Sequence, residues 1–254
     1  MGTPGGEMAR RWLLAEFERL GLEPVGAAFE HPFDAAGMPG VNLVARIPGA
    51  ARPDRHIVLT AHYDHVGIRQ GDVYNGADDN ASGVSTVLEI ARALKSGPPR
   101  TSVVIALLDA EEGGLRGARA FVDSPPVPLE SIELNINLDM VARTAGLLWA
   151  AGSHHTPELR PTLESLVAGA PLTLRLGHDR PNALEGDDWT QSSDHGPFHA
   201  AGIPFVYFGV EDHADYHQPT DDARRVVPSE FLASARTILA AVRALDGALP
   251  LPGR

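Results

Sequence analysis

The sequence predicts an α/β fold, a mixed and mostly parallel sheet sandwiched by helices on both faces, within one domain spanning residues 1–254. Three observations carry that expectation. Short runs rich in Val, Ile and Leu alternate with segments of helical periodicity. Those runs are apolar throughout and not on alternate residues, as strands covered on both faces are. At 254 residues the chain can bury a large core as one unit, and no second core flanks the loops at 122–130 and 177–202.

The elements follow in order. "GEMARRWLLAEFERLGLEP" (6–24) places Leu13, Phe17 and Leu20 on one helical face and stops at Gly21, a suitable residue just beyond a helix end. Strands are expected at 41–49, 56–62, 102–110, 134–140 and 203–209, where β-branched and aromatic residues gather. A helix over 81–94 aligns Val84, Val87, Leu88, Ala91 and Leu94, and a last helix over 229–245 aligns Phe231, Ala235, Ile238, Val242 and Leu245. No internal repeat interrupts the pattern.

Composition narrows the function. The chain carries 33 acidic against 21 basic residues, net charge −12, which disfavours a nucleic-acid backbone as partner. The same excess of carboxylate is expected where bound divalent cations balance part of it. With no Cys there is no disulfide, thiolate metal site or cysteine nucleophile. No run of about 18 apolar residues is present, so no membrane span is expected. The opening "MGTPGGEMARRW" has no apolar core, so no secretory signal is expected in the chain as it stands.

The acidic residues are not scattered. "HYDHVGIRQGDVYNGADDNASG" (62–83) concentrates His62, Asp64, His65, Asp72, Asp78 and Asp79 where a strand gives way to a helix. Ligands of open α/β sheets sit beyond the carboxyl ends of strands. Four strand ends here deliver His62 with Asp64, Asp109 with Glu111 and Glu112, Asp139, and the segment "EDHADYHQPTD" containing His217. Singly each signal is weak: a His-x-Asp is commonly a surface pair, and two Glu residues suit a solvated helix start. Asp139 is stranger, because a bare carboxylate ending an apolar strand costs several kcal/mol unless a partner or cation meets it. Between Asp78 and Asp79 the residues themselves do not decide.

The ordered motifs "HYD" (62–64), "GADDNASG" (76–83), "EEGGLRG" (111–117), "NLDM" (137–140) and "DYHQPTD" (215–221) resemble metallopeptidase family 28, the two-zinc aminopeptidases, as does "SSDHGPFHAAGIPFVYF" (192–208). The likeness runs from about residue 3 to the C-terminus. One departure is that family members usually have more chain before "GTPGG", and an exported form would follow from a longer start. The resemblance implies a zinc-exopeptidase fold of the phosphorylase/hydrolase type. It also implies one zinc held by His62, Asp79 and Asp139 and a second held by Asp79, Glu112 and His217, with Asp79 shared. N/O donor sets suit zinc, and a shared carboxylate with a bridging water can hold two ions about 3.5–4 Å apart.

The resemblance further implies that Asp64 accepts the remaining ring N–H of His62, against the alternative of a solvated loop acid. It makes Glu111 the general base, since adjacent side chains point apart and leave one carboxylate for metal and one for the attacking water. Tyr216 would donate to the developing oxyanion, against the alternative of a packed tyrosine. His65, His154, His155, His178 and His199 have no motif support and read as loop or surface residues. His213 reads as a lining residue at most, Asp194 and His195 as structural, and "NALEGDDW" (182–189) as a loop that could face substrate.

The implied substrate is a peptide with a free N-terminus. Three other readings compete. A glutaminyl cyclase manages with one zinc, and the completeness of both donor sets favours hydrolysis. A metal-free binding module would lack ligands, and none is missing. A carboxypeptidase for acidic C-termini needs a basic pocket, and the candidates Arg143, Arg175 and Arg180 are too few and too poorly placed to argue for one.

Overall fold

The computed structural model describes residues 2–181 and 186–252. Helix α1 (Pro4–Arg19) starts at Thr3, whose hydroxyl accepts the Gly6 N–H at 3.1 Å, with Pro4 in the first turn. It ends as the sequence predicts. Gly21 adopts φ +62°, and the Leu22 and Gly21 amides return to the Phe17 and Glu18 carbonyls, a Schellman closure that only a residue at ease in the left-handed region completes cheaply.

An edge group follows, β1 (Glu23–Pro24), β2 (Glu30–Asp34) and β3 (Pro39–Ile47), then the long β4 (Arg52–His62). A small hairpin, β5 (Ile68–Arg69) with β6 (Asp72–Val73), precedes α2 (Gly83–Ser96). Next come β7 (Thr101–Leu108), α3 (Arg116–Asp123), β8 (Ile132–Leu138), β9 (Leu147–Ala151), α4 (Arg160–Val167) and β10 (Thr173–Leu176). Helix α5 (His195–Ala200), β11 (Phe205–Gly209) and α6 (Pro228–Ala248) complete the chain.

The main sheet runs β1-β3-β7-β4-β8-β11-β9-β10, with β2 also on β3. Its centre, β7-β4-β8-β11, is parallel, while β3 and β9 pair antiparallel with the strands inside them. The mixed, mostly parallel sheet is therefore as expected. Alternate strand residues face two cores. Leu43, Ile57, Leu59, Ile105 and Ile136 pack with α1, α2, α4 and α6, whereas Val44, Val58, Val104 and Ala106 pack with α3 and α5. In α2 all five residues of the predicted stripe are buried; in α6 Ile238, Val242 and Leu245 are, while Phe231 and Ala235 are half-buried.

Helices α3, α4 and α5 are six to eight residues long, and β9 and β10 four to five, too short for periodicity to announce them. Among the described residues no helix is long and apolar enough to cross a membrane. The parallel arrangement has one consequence for function: β4, β7, β8 and β11 all end on the same side of the sheet.

Candidate metal centre

At that side His62 is the last residue of β4, Glu111 and Glu112 follow β7, and Asp139 follows β8. The chain leaves β7 and β8 through left-handed residues, Ala110 (φ 62°) and Met140 (φ 56°), and His217 itself has φ 52°. Such conformations cost a non-glycine residue roughly 1–3 kcal/mol and gather at functional sites.

The loop before α2 explains its own composition. Gly76 sits at φ +62°, and Gly83 lies so close to the Asn80 side chain and the Leu138 carbonyl that a Cβ would fall 2.3 and 2.5 Å from them. Asn80 donates to the Leu138 carbonyl at 2.9 Å and accepts the Gly83 N–H at 2.9 Å. Ser82 Oγ accepts the Val141 N–H at 2.9 Å. The motif is thus bolted to the end of β8, beside Asp139.

The peptide between Asp79 and Asn80 is cis. The carboxylates of the two neighbouring aspartates point apart. Asp79 Oδ1 stands 3.2 Å from His62 Nε2, and its Oδ2 stands 3.1 Å from His217 Nε2. Asp78 is turned away: one oxygen accepts the Ala142 N–H at 2.7 Å and the other meets His213 Nε2 at 3.1 Å.

Asp139 Oδ1 lies 3.4 Å from His62 Nε2, and Glu112 Oε2 lies 3.1 Å from His217 Nε2. Two N/O donors bound tetrahedrally to one zinc are about 3.3–3.5 Å apart, given bonds of about 2.0–2.2 Å. The donor pairs on both sides of Asp79 match that spacing within a few tenths of an ångström. His62, Asp79 and Asp139 form one group able to hold an ion.

The other group includes a histidine that the sequence reading placed at the surface. His65 Nδ1 is 2.7 Å from Glu112 Oε1 and 3.8 Å from Asp79 Oδ2, and His65, Asp79 and Glu112 could together hold an ion. His65 and His217 face each other with ring centroids 5.9 Å apart. Both His65 nitrogens and Glu112 Oε1 are buried without an aligned hydrogen bond. Orphaned donors and acceptors of this kind fit a divalent cation. His65 was missed because nothing in "HYDH" tells which way the second ring turns.

Asp64 reaches His62 differently from expectation. The His62 Nδ1 is nearer the Asp64 main-chain carbonyl, at 3.1 Å, than its carboxylate, at 3.7 Å. The carboxylate instead accepts the Glu111 N–H at 3.0 Å, so Asp64 is a buried tie between two strand ends and not a solvated acid. Ser193, quoted within the 192–208 motif but given no role there, donates to Asp139 Oδ2 at 2.7 Å and accepts from Asn137 at 2.8 Å.

Glu111 borders a cavity of about 220 Å³ with Asp79, Asp139, Trp189, Tyr216 and His217, while Glu112 points to the two histidines. Burial, with Asp139, Asp194 and Glu112 adding negative charge, pushes Glu111 up to about 9. Asp194 is fully buried with neither oxygen hydrogen-bonded, and burial together with Asp139 and Asp64 pushes it up to about 8. Burial opposes the charged form of His62, but Asp139, Asp64 and Asp79 together raise its pKa well above the usual value. His217 is raised chiefly by its contact with Asp79. Tyr216 is half-buried, stacked on the His217 ring at 4.0 Å, and raised by burial and by Asp79.

The remaining histidines divide. His178 is fully buried, stacked on Trp189 at 3.7 Å with Nδ1 2.8 Å from the Asp187 carbonyl, which corrects its surface reading. His154, His155 and His199 belong to neither candidate donor group, with His155 against Thr190 and the His199 ring. His195 is buried with Nε2 2.8 Å from the Trp189 carbonyl and is lowered to about 3 by burial, a structural role as expected. His213 lies behind Asp78. Residues 182–185 of the expected substrate loop lie outside the described residues, while Asp187 and Trp189 line the cavity.

Two carboxylate-and-imidazole groups that share one aspartate at the carboxyl ends of parallel strands could each hold a metal ion. The family is peptidase family M28, whose profile matches residues 42–242, and the chain belongs to it. Aminopeptidase YwaD of Bacillus subtilis strain 168 is 33% identical over 195 residues, covering 73% of this chain and 40% of the relative. A solved zinc aminopeptidase from Bacillus subtilis, BSAP, superposes with TM-score 0.66 at 28% identity, over 82% of this chain and 50% of the other. Porphyromonas gingivalis glutaminyl cyclase, at 22% identity, shares the fold with TM-score 0.77 over 98% and 92% of the two chains. The chain thus spans less than half the length of YwaD.

Proposed function

We propose that the chain is a two-zinc aminopeptidase that removes N-terminal residues from peptides. The observation that carries this reading is the character of the cavity beside the donors. Beyond the donors and Glu111 it is lined by two further acids, Asp187 and Asp212, and no Lys or Arg is among its described lining residues. Such a surface favours a substrate's ammonium group and opposes a C-terminal carboxylate. Of the basic candidates, Arg143 pairs with Asp215 and His213, and Arg175 lies over the Trp149 ring at 5.8 Å. The likeness to YwaD supports the same choice.

In this reading His62, Asp79 and Asp139 hold one zinc and Asp79, Glu112 and His217 the other, with His65 steadying Glu112 from behind. Bound there, the ions supply Lewis acidity to the scissile carbonyl and acidify the attacking water. Glu111 takes the proton of that water and passes it to the leaving amine. Its raised affinity for a proton, which nearby cations would moderate, suits the second half of that task. Tyr216 donates to the developing oxyanion from its place beside His217. Asp64 holds the Glu111 main chain and the His62 ring in register.

The test is a panel of aminoacyl p-nitroanilides, each compared with its N-acetylated twin, with and without chelator. Chelator-sensitive cleavage confined to the free amines is expected. Equal cleavage of the acetylated twins, or cleavage that survives metal removal, contradicts the reading.

A further inference from the structure

Asp221 is fully buried and belongs to neither donor group, and no Lys or Arg pairs with it among the described residues. Its carboxylate faces the loop that bears Asp79. Both oxygens lie 3.0 Å from the Asp78 amide nitrogen, and Oδ2 also accepts the Asp79 N–H at 3.1 Å. The main chain adds two links: the Asp221 carbonyl accepts the Ala77 N–H at 3.3 Å, and the Asp221 N–H reaches the Gln218 carbonyl at 3.1 Å.

The other end of this short segment holds His217. That residue sits at φ 52°, so its own backbone preference works against the position it occupies. Something must hold the segment in place. The buried Asp221 carboxylate grips the amides of Asp78 and Asp79 themselves, and thereby ties the His217 segment to the loop that carries its partner.

We propose that Asp221 is a positioning residue for the second metal: by gathering the amides of Asp78 and Asp79 it sets the separation of Asp79 and His217 before metal arrives. The proposal rests on the reading that these two residues are metal donors. The site on the His62 side depends on Asp221 through Asp79 alone, whereas the other depends on it through both Asp79 and His217. Outer partners that orient ligands are worth about 10–100-fold in metal affinity when removed.

The fold supplies a matched control. Asp246, also buried, accepts the Arg100 and Thr101 amides at 2.7 and 2.8 Å, the same device at a place with no donors. Zinc titration by calorimetry, with melting of the chelator-treated proteins, separates positioning from general support. For Asp221→Asn we expect the second zinc equivalent to weaken about 10–100-fold and the first far less. Asp246→Asn should lose comparable thermal stability while binding both equivalents as the wild type does. Wild-type affinity for both equivalents in Asp221→Asn, or equal loss of the second in Asp246→Asn, overturns the proposal.

His217→Ala is titrated alongside. If it keeps both equivalents, the donor assignment fails and the proposal with it. If it binds one while Asp221→Asn binds two normally, the proposal alone fails. Should Asp221→Asn not fold, amide exchange in the chelator-treated wild type decides. Protected Asp78 and Asp79 amides are expected, and free exchange that only zinc suppresses overturns the claim.

Discussion

Asp79 Oδ2 stands 3.1 Å from His217 Nε2, joining the loop before α2 to the segment after β11. Its other oxygen stands 3.2 Å from His62, so a single carboxylate faces an imidazole on each side. Asp79 thus lies between the two candidate donor groups.

The two histidines near Glu112 should behave differently. His217 lies 3.1 Å from both Asp79 Oδ2 and Glu112 Oε2, whereas His65 is 2.7 Å from Glu112 but 3.8 Å from Asp79. His217→Ala is expected to bind one zinc in place of two. His65→Ala should keep two, with affinity for the second reduced about 10–100-fold. Metal analysis after gel filtration against buffered zinc distinguishes them, and the reverse order would make His65 the ligand.

Glu111→Gln should leave metal content unchanged and lower kcat by about 10²–10⁴-fold, the usual range for a general acid–base group. Its carboxylate borders the cavity and not the imidazole pair, so the amide should not disturb the donors. Full turnover in this variant with both metals bound would remove Glu111 from the mechanism.

Tyr216→Phe keeps the ring stacked on His217 at 4.0 Å and removes only the hydroxyl. A fall in kcat of about 10²-fold with little change in KM is expected for an oxyanion donor. An unchanged kcat would leave Tyr216 a packing residue.

Stability of the chelator-treated protein should depend on pH with a definite sign. Glu111 and Asp194 are held up to about 9 and about 8 against ordinary values of 4.5 and 3.8. Between those limits the folded chain keeps protons that the unfolded chain has released, so stability falls as pH rises through that window. His62, also raised, adds to the fall above its ordinary value of 6.5. Buried His195, lowered to about 3, adds an opposite slope below its ordinary value of 6.5, so it is from pH 7 to pH 9 that melting of the chelator-treated protein should show a declining Tm. Zinc should flatten the decline, since loading releases protons and its affinity grows with pH. A Tm that rises steadily over that range in the chelator-treated protein would contradict the electrostatic picture of the site.

Much of this was legible in the sequence because strand ends carry chemistry in parallel sheets. His62, Asp139 and the Glu pair could be placed by counting from apolar runs, and the stripe in α2 by its period. What the sequence withheld depends on where side chains turn once the backbone leaves a strand. Which of Asp78 and Asp79 faces His62 and His217 depends on where each carboxylate points, and the ring of His65 on the loop beyond β4. Ser193 meets Asp139 only through the packing of the α5 approach against β8. Asp221 lay inside a quoted motif, but its partners are amides, which every residue possesses and no pattern of side chains reveals.

The central claim is a pair of ions astride Asp79. Anomalous scattering at the zinc edge from zinc-loaded crystals measures it directly. The account predicts two peaks about 3.5–4 Å apart, one against His62 and Asp139 and the other against Glu112 and His217, with Asp79 between them. A single peak, or two that do not share Asp79, would contradict it.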